Sequence, residues 1–423
     1  MNIMSKHYVD YTKIELESEL ANLNGEYEKY KAMNLKLDMS RGKPGTEQIN
    51  ITQGMLGVIS EPEDCITENG FDCRNYGLLD GIPEAKRIFA EMLDVPENNI
   101  IVGGNSSLNM MFDTISRMKT FTWKTDKIKF LCPVPGYDRH FAICEVFGIE
   151  MISVPMLSDG PDMDIVEELV KDETVKGIWC VPKYSNPDGI TYSDDVVKRF
   201  ANLKPAASDF RIFWDNAYVV HDLYDIGDSL LNLFTEAVRA GNEDIVYIFA
   251  STSKISFPGS GVAVLAASDN NIKEIKRIMA FQTIGFDKIN QMRHVKYFKN
   301  LDGIVSHMQK HAEFLRPKFK IVLDELDKEL APYGVAHWVE PKGGYFISLN
   351  VTDGCAKRTF ELVKDAGVVM TSAGATFPYG IDPDDRNLRI APTYPSNDEL
   401  IQASAILCLC VKIAVIEKYI NNI

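Results

Sequence analysis

No Cys-x-x-Cys pair occurs among the eight cysteines, which stand at 65, 73, 132, 144, 180, 355, 408 and 410. That spacing offers neither a zinc motif nor a dithiol redox motif, so no metal is expected. Several of the cysteines sit in apolar runs, where the thiol acts as a small hydrophobe, and free thiols fit a reducing cytoplasm. Positive charge is also scarce: 45 Lys and Arg stand against 60 Asp and Glu, for a net charge of −15. Non-specific binding to nucleic acid or to an anionic membrane needs the opposite balance, so neither is expected as a partner. Local basic pockets for small acidic ligands stay open. A long uninterrupted hydrophobic run is missing too. The most apolar stretch, Ile406–Ile416, is broken by Lys412. It is too short to span a bilayer and reads as a buried C-terminal helix. The stretch from Met1 to Glu28 has no apolar core of a signal peptide. There is no internal repeat and no low-complexity segment.

What is present is an ordinary globular composition, with 45% hydrophobic and 25% charged residues over 423 positions. That length exceeds one common core, and one large and one smaller domain is the simplest expectation. Residues 10–34 read as a surface helix, and Leu37–Thr52, punctuated by Gly and Pro, as a loop. Seven short apolar runs follow: Asn99–Val102, Ile128–Leu131, Met151–Val154, Gly177–Val181, Arg211–Trp214, Ile245–Phe249 and Gly261–Ala266. Amphipathic stretches separate most of them. The alternation predicts an α/β domain with a mostly parallel seven-stranded sheet flanked by helices. From about residue 305 the pattern changes to a charged helix, His307–Leu330, a hairpin over His337–Asn350, and strands at Val368–Thr371 and Leu388–Ala391. Ser396 and Glu399 have capping-box spacing before the last helix. The expected division is 1–60 as an N-terminal segment and active-site loop, 61–305 as the large domain, and 306–423 as the C-terminal small α+β domain, which the N-terminal segment joins.

Many of the apolar runs end in a polar or Gly-rich turn. The turns are Gly103-Gly104-Asn105-Ser106-Ser107, Pro135-Gly136-Tyr137, Tyr184-Ser185-Asn186-Pro187, Asp215-Asn216-Ala217-Tyr218 and Ser251-Thr252-Ser253-Lys254. In a parallel sheet the carboxyl ends of the strands share one edge, where ligands bind. One site would then hold a phosphate cradle, an aromatic, an amide, a carboxylate and a lysine.

Each piece taken singly has a plainer reading. Gly104–Ser107 serves as well for a helix cap as for a phosphate cradle. Asp215 is as readily a structural carboxylate as the partner of a protonated ring nitrogen. A lone lysine is usually a solvated charge, but Lys254 lies among small hydroxyl residues, a context that suits a Schiff-base amine. Tyr137 and Tyr218 serve as packing residues or as neighbours of a planar cofactor. Arg389, between apolar neighbours in Asn387-Leu388-Arg389-Ile390-Ala391-Pro392, needs a carboxylate partner. Jointly the pieces are what a pyridoxal phosphate enzyme requires.

The order Tyr76, Gly104–Ser107, Pro135-Gly136-Tyr137, Asn186-Pro187, Asp215–Tyr218, Ser251–Lys254 and Arg389 resembles the motif order of fold-type I, class I/II pyridoxal phosphate aminotransferases, from about Asp38 to the C-terminus. Leu37-Asp38-Met39-Ser40-Arg41-Gly42-Lys43-Pro44, Ser253-Lys254-Ile255 with Pro258-Gly259-Ser260-Gly261-Val262, and Thr283-Ile284-Gly285 with Asp287-Lys288 and Asn290-Gln291 narrow it. They resemble a bacterial aspartate aminotransferase subgroup related to the aminotransferase-like domain of certain transcription regulators. No helix-turn-helix extension precedes the segment, so an enzyme is expected.

The resemblance implies ping-pong transamination between an amino acid, aspartate or glutamate first, and a 2-oxo acid, through pyridoxamine phosphate. Alanine, aromatic or 2-aminoadipate transamination, or β-lyase or decarboxylase chemistry on the same fold, are the alternatives. It implies that Lys254 holds pyridoxal 5′-phosphate and moves the proton, that Asp215 pairs with the ring nitrogen, and that Asn186 and Tyr218 bond the ring oxygen. Tyr137 would stack on the ring, and Gly104, Asn105, Ser106, Ser251 and Ser253 would form the phosphate cup. Tyr76 would reach the phosphate of a neighbouring subunit in a homodimer. Arg389 would bind the substrate α-carboxylate with Asn186 and Gly42 close by, and Arg41, Lys43 or Lys288 would meet a second carboxylate. One departure stands out. The family pattern Pro-Gly-x-Arg supplies an arginine to the phosphate, and here that position is Gly261. Lys288, from the same or the partner subunit, is the expected replacement.

Overall fold

The computed structural model describes residues 6–422, so residues 1–5 and 423 lie outside the described part of the chain. Its central sheet has eight strands. Across the sheet they run Ile100–Val102, Ala263–Ala267, Val246–Ser251, Arg211–Asp215, Val175–Cys180, Lys129–Val134, Glu150–Leu157 and Gly160–Pro161. Seven coincide with the seven apolar runs. The eighth, Gly160–Pro161, pairs antiparallel with Glu150–Leu157 and at two residues is too short to leave a periodic signal. The strands from Val246–Ser251 to Glu150–Leu157 are all parallel to their neighbours. Ala263–Ala267 alone is antiparallel to both of its neighbours. It therefore begins on the edge where the parallel strands end.

The runs look uniformly apolar because both faces of the sheet are covered. Ile100, Val102, Leu131, Ile212, Trp214 and Ile248 belong to one buried cluster. The residues between them, Ile101, Phe130, Phe213, Tyr247 and Phe249, belong to another. This alternation is the two-residue period of a strand with a core on each side. Each such side chain contributes about 1.5–3 kcal/mol of hydrophobic stabilisation when fully buried.

A third cluster holds together the three-stranded antiparallel sheet of Ala336–Trp338, Ile347–Val351 and Asn387–Ile390, the N-terminal helix and the last helix. The helix Leu301–Glu329 passes from one core to the other. Ile304 and Met308 sit in the large sheet's cluster, and Leu315, Phe319, Val322 and Leu326 in the third. Steps of three and four residues keep this stripe on one face. The N-terminal helix, Lys13–Ala32, starts at a Thr12–Glu15 capping box. The Ser396–Glu399 box is also formed: Ser396 N donates to Glu399 Oε2 at 2.7 Å, and Glu399 N to Ser396 Oγ at 3.3 Å.

Two expectations are corrected. Leu37–Thr52 is not wholly loop: Leu37–Asp38 pairs in parallel with Val368–Val369, and Thr46–Asn50 is helical. Both pieces are short, and the strand exists only because its partner lies some 330 residues away in the chain. The apolar C-terminal stretch extends into a 26-residue helix, Asn397–Asn422, long and apolar enough to cross a membrane by length and composition. In its most apolar 18-residue stretch 78% is instead buried, and the helix packs against Lys13–Ala32, Leu301–Glu329 and Ala356–Asp365.

Candidate active site

The polar turns do converge. Beyond the carboxyl edge of the sheet lies a cleft of about 500 Å³. It is lined by Ser106, Ser107, Tyr137, Asn186, Asp215, Tyr218, Ser251, Ser253 and Lys254 from the large sheet's side. Ser40–Lys43, Phe346, Thr371 and Arg389 close it from the other side.

Lys254 ends the turn after Val246–Ser251. In that turn Ser251 and Ser253 face the cleft, while Thr252 faces the core and accepts from Val262 N at 2.9 Å. The backbone carbonyl of Lys254 accepts from the Tyr345 hydroxyl at 3.4 Å, and that hydroxyl accepts from Gln48 Nε2 at 2.7 Å. The amine lies 5.1 Å from the Tyr218 ring centroid and 5.8 Å from that of Tyr345. Removal from bulk water lowers its pKa below the ordinary lysine value; Asp215 opposes the shift and Arg389 adds to it. A lowered pKa increases the share of free, nucleophilic amine.

Asp215, at the end of its strand, is 2% exposed. Its Oδ2 is 3.1 Å from His140 Nε2, whereas Oδ1 is buried with no partner among the described residues. A buried carboxylate oxygen without a donor is costly, so this one is set to receive an N–H from a ligand. His140 is in turn stacked on Trp179, with centroids 4.4 Å apart and planes at 10°. Burial and the nearby Asp215 carboxylate raise the pKa of Tyr137, and burial raises that of Tyr218, keeping both phenols protonated. An added Cβ on Gly42 would come within 2.5 Å of the Phe346 ring, so the loop's close approach requires glycine there.

Arg389 is 7% exposed and makes three side-chain hydrogen bonds. Nη1 donates to Asp138 Oδ1 at 2.8 Å and Asn186 Oδ1 at 3.3 Å, and Nη2 to Thr371 Oγ1 at 3.1 Å. Its Nε is buried without a partner among the described residues, and the guanidinium carbon lies 4.8 Å from the Phe346 ring centroid.

Four expected site residues lie elsewhere. Asn105 is exposed and contributes its backbone carbonyl, which accepts from Ser253 Oγ at 3.3 Å. Gly104 borders a separate cavity beside Met110 and Phe286. Tyr76 is 79% exposed and does not line the cleft. Lys288 is 6% exposed, its nearest polar contact being Phe286 O at 3.4 Å, and it forms no carboxylate ion pair among the described residues. Gly261 packs tightly behind the serines: an added Cβ would sit 3.1 Å from Asn105 O and 3.2 Å from Ser253 N. Sequence reasoning missed His140, Asp138, Arg139 and Thr371. The first three occupy or flank the start of the helix Asp138–Val146, where polar residues are commonplace and only the tertiary contacts single them out.

The chain matches the family model described as aspartate amino-transferase over residues 11–422. It is 45% identical to an aspartate aminotransferase of Corynebacterium glutamicum over 429 aligned positions, covering 100% of this chain and 99% of that one. The crystal structure of an aspartate transaminase from Corynebacterium glutamicum superposes with a TM-score of 0.95 at 44% identity, over 98% of this chain and 100% of that one. An α-aminoadipate aminotransferase from Thermus thermophilus, solved with N-(5′-phosphopyridoxyl)-L-leucine, shares the fold at a TM-score of 0.74 and 19% identity, over 96% of each chain.

Proposed function

The chain belongs to the aspartate aminotransferase family, and on that premise we propose that it transfers amino groups between aspartate or glutamate and a 2-oxo acid, with pyridoxal 5′-phosphate as cofactor. The observation that carries the reading is the meeting in one cleft of an amine of lowered pKa, a buried aspartate with one orphan oxygen, and a buried arginine with one orphan nitrogen.

The residues fit the cofactor. Lys254 would hold it covalently through its amine. Asp215 Oδ1, which lacks a donor, would take the N–H of a protonated pyridine ring, and the His140 bond keeps the other oxygen fixed. Ser106 and Ser107, at the start of the helix Ser107–Arg117, would share the phosphate with Ser251 and Ser253. Asn186 and Tyr218 would bond the ring oxygen, and Tyr137 would cover the ring face. When bound, the cofactor supplies an electrophilic carbon and a protonated ring that takes up the charge left on the substrate when its α proton departs.

The chain's own residues do the rest. Arg389 would orient the amino acid by its α-carboxylate in the cleft that Lys254 also lines. The Lys254 amine would be the base that removes the α proton and the acid that gives a proton back. Asp215 keeps the opposing charge close to the ring throughout. Gly42 and Arg41 bring the loop over the opening and exclude water. Arg41 would also meet the second carboxylate of a dicarboxylic substrate; it forms no ion pair among the described residues. Lys43 is less free, since its amine lies 3.7 Å from the Tyr394 ring centroid.

Among the described residues the four serines bring no cation with them, and Gly261, where the family pattern has arginine, supplies none. We assign that charge to Lys288, two residues before Asn290, whose Nδ2 donates to Ser260 O at 3.0 Å and Gly261 O at 2.9 Å directly behind this chain's own cup. Lys288 sits under the loop that carries Tyr76: a Cβ on Gly285 would be 2.5 Å from Gly77 O and 3.3 Å from Lys288 Nζ. Exposed Tyr76, Phe281 and Ile284 surround this region, an apolar surface suited to a homodimer. The eight cysteines are free and buried, which fits a reducing cytoplasm.

A substrate screen tests the specificity. The holoenzyme is mixed with one amino acid at a time, and the absorbance of the bound cofactor is followed. Aspartate and glutamate should change the spectrum at the lowest concentrations. Conversion by alanine or aromatic amino acids alone would refute the dicarboxylate reading.

A further inference from the structure

Asp138 is paired with Arg389, the residue read above as the α-carboxylate site. It is the first residue of the helix Asp138–Val146, directly after Tyr137, and its side chain is 30% exposed on the cleft wall. One of its oxygens meets one Arg389 nitrogen, at 2.8 Å, so the contact is monodentate. Arg389 keeps an unpaired buried Nε and a second nitrogen held only by the neutral Thr371 hydroxyl. A monodentate partner leaves part of the guanidinium's capacity unused, and a bidentate carboxylate uses more of it.

A second partner for Asp138 is already in place. Arg139 Nε lies 4.0 Å from Asp138 Oδ2, and the Arg139 side chain is 55% exposed at the cleft mouth. Swinging from Arg389 to Arg139 keeps the Asp138 carboxylate in the first turn of its helix, where the positive end of the helix dipole favours it. The move therefore exchanges one cationic partner for another and strands no charge.

We propose that Asp138 is an internal stand-in for the substrate α-carboxylate: it occupies Arg389 in the free enzyme, is displaced by substrate, and is then received by Arg139. This rests on the reading of Arg389 as the α-carboxylate site. Asp138 thus tunes affinity without touching the reacting atoms. It keeps Arg389 oriented and charge-matched while the cleft is empty, and it sets a threshold that a ligand able to bond the guanidinium at two points passes more easily than one that bonds it at a single point. Asp138 is a positioning residue on this account, and Arg139 acts through it.

Calorimetric titration of the holoenzyme with succinate, a non-reacting dicarboxylate, tests the proposal. Removing the competing charge in D138N should tighten succinate by about tenfold, the worth of one hydrogen bond to a charged group. KM for the amino acid should fall with it while kcat changes little. R139A should weaken succinate, because Asp138 then has nowhere else to go, and that loss should vanish in the D138N/R139A double variant. Unchanged or weaker succinate binding in D138N overturns the proposal, as does an R139A effect that persists in the double variant. R389A separates the two levels of inference: it should abolish succinate binding, and if it does not, the α-carboxylate assignment beneath the proposal falls with it.

Discussion

At the serine end of the cleft, Ser106, Ser107, Ser251 and Ser253 present neutral donors from one edge of a single sheet. At the arginine end, Arg389 is gripped by Asp138, Asn186 and Thr371, which come from both sides of the cleft. The first end has hydrogen bonds but no cation. The second has a cation already committed to a carboxylate. A phosphate remains through many turnovers, whereas a substrate must leave after each one. Neutral donors supplemented by the proposed Lys288 charge suit a permanent guest, and a pre-paired arginine suits a transient one.

The largest effect should come from the residue between the two ends. Asp215→Ala should leave the fold intact, because His140 remains stacked on Trp179. It should nevertheless reduce kcat on the order of 10²-fold or more, the usual result of removing a placed electrostatic partner. Steady-state kinetics check this, and a loss below about tenfold would place the ring nitrogen elsewhere. The serine end gives a smaller and more discriminating comparison. Lys288→Ala should weaken cofactor binding by roughly 10- to 100-fold, since a charge-assisted bond to phosphate is lost, and Ser253→Ala only about fivefold. Equilibrium dialysis of the cofactor reads both. Cofactor affinity unchanged in Lys288→Ala would leave the serine cup working without a cation and would make the two ends of the cleft less alike still.

How much of this was legible in the sequence differs between the same two ends. The seven apolar strands and the turns after them could be read directly, because double-sided burial writes unbroken apolar runs and the turns interrupt them. Lys254, Asp215, Ser251 and Ser253 follow from that pattern and a parallel sheet. Arg389 was legible as a charge between apolar residues, but its partners were not. Asp138, Arg139 and His140 read as an ordinary polar helix start. Only the approach of Asn387–Ile390 to that helix shows that Asp138 faces Arg389, and only the Trp179 stack shows that His140 faces Asp215. Contacts across some 250 residues of chain leave no local period. The short strand Leu37–Asp38 was invisible for the same reason. Lys288 and Tyr76 were singled out by resemblance, and what the fold adds is their common neighbourhood outside this chain's own cleft.

Lys254 is where the cleft's chemistry converges, and it can be tested without assuming a substrate. Borohydride treatment of the holoenzyme fixes the cofactor to whichever lysine holds it, and proteolysis with mass spectrometry then locates the added mass. The added mass should fall on the peptide containing Lys254 and should be missing from Lys254→Ala. Its appearance on another lysine, or on none, would contradict the assignment of this cleft as the cofactor site.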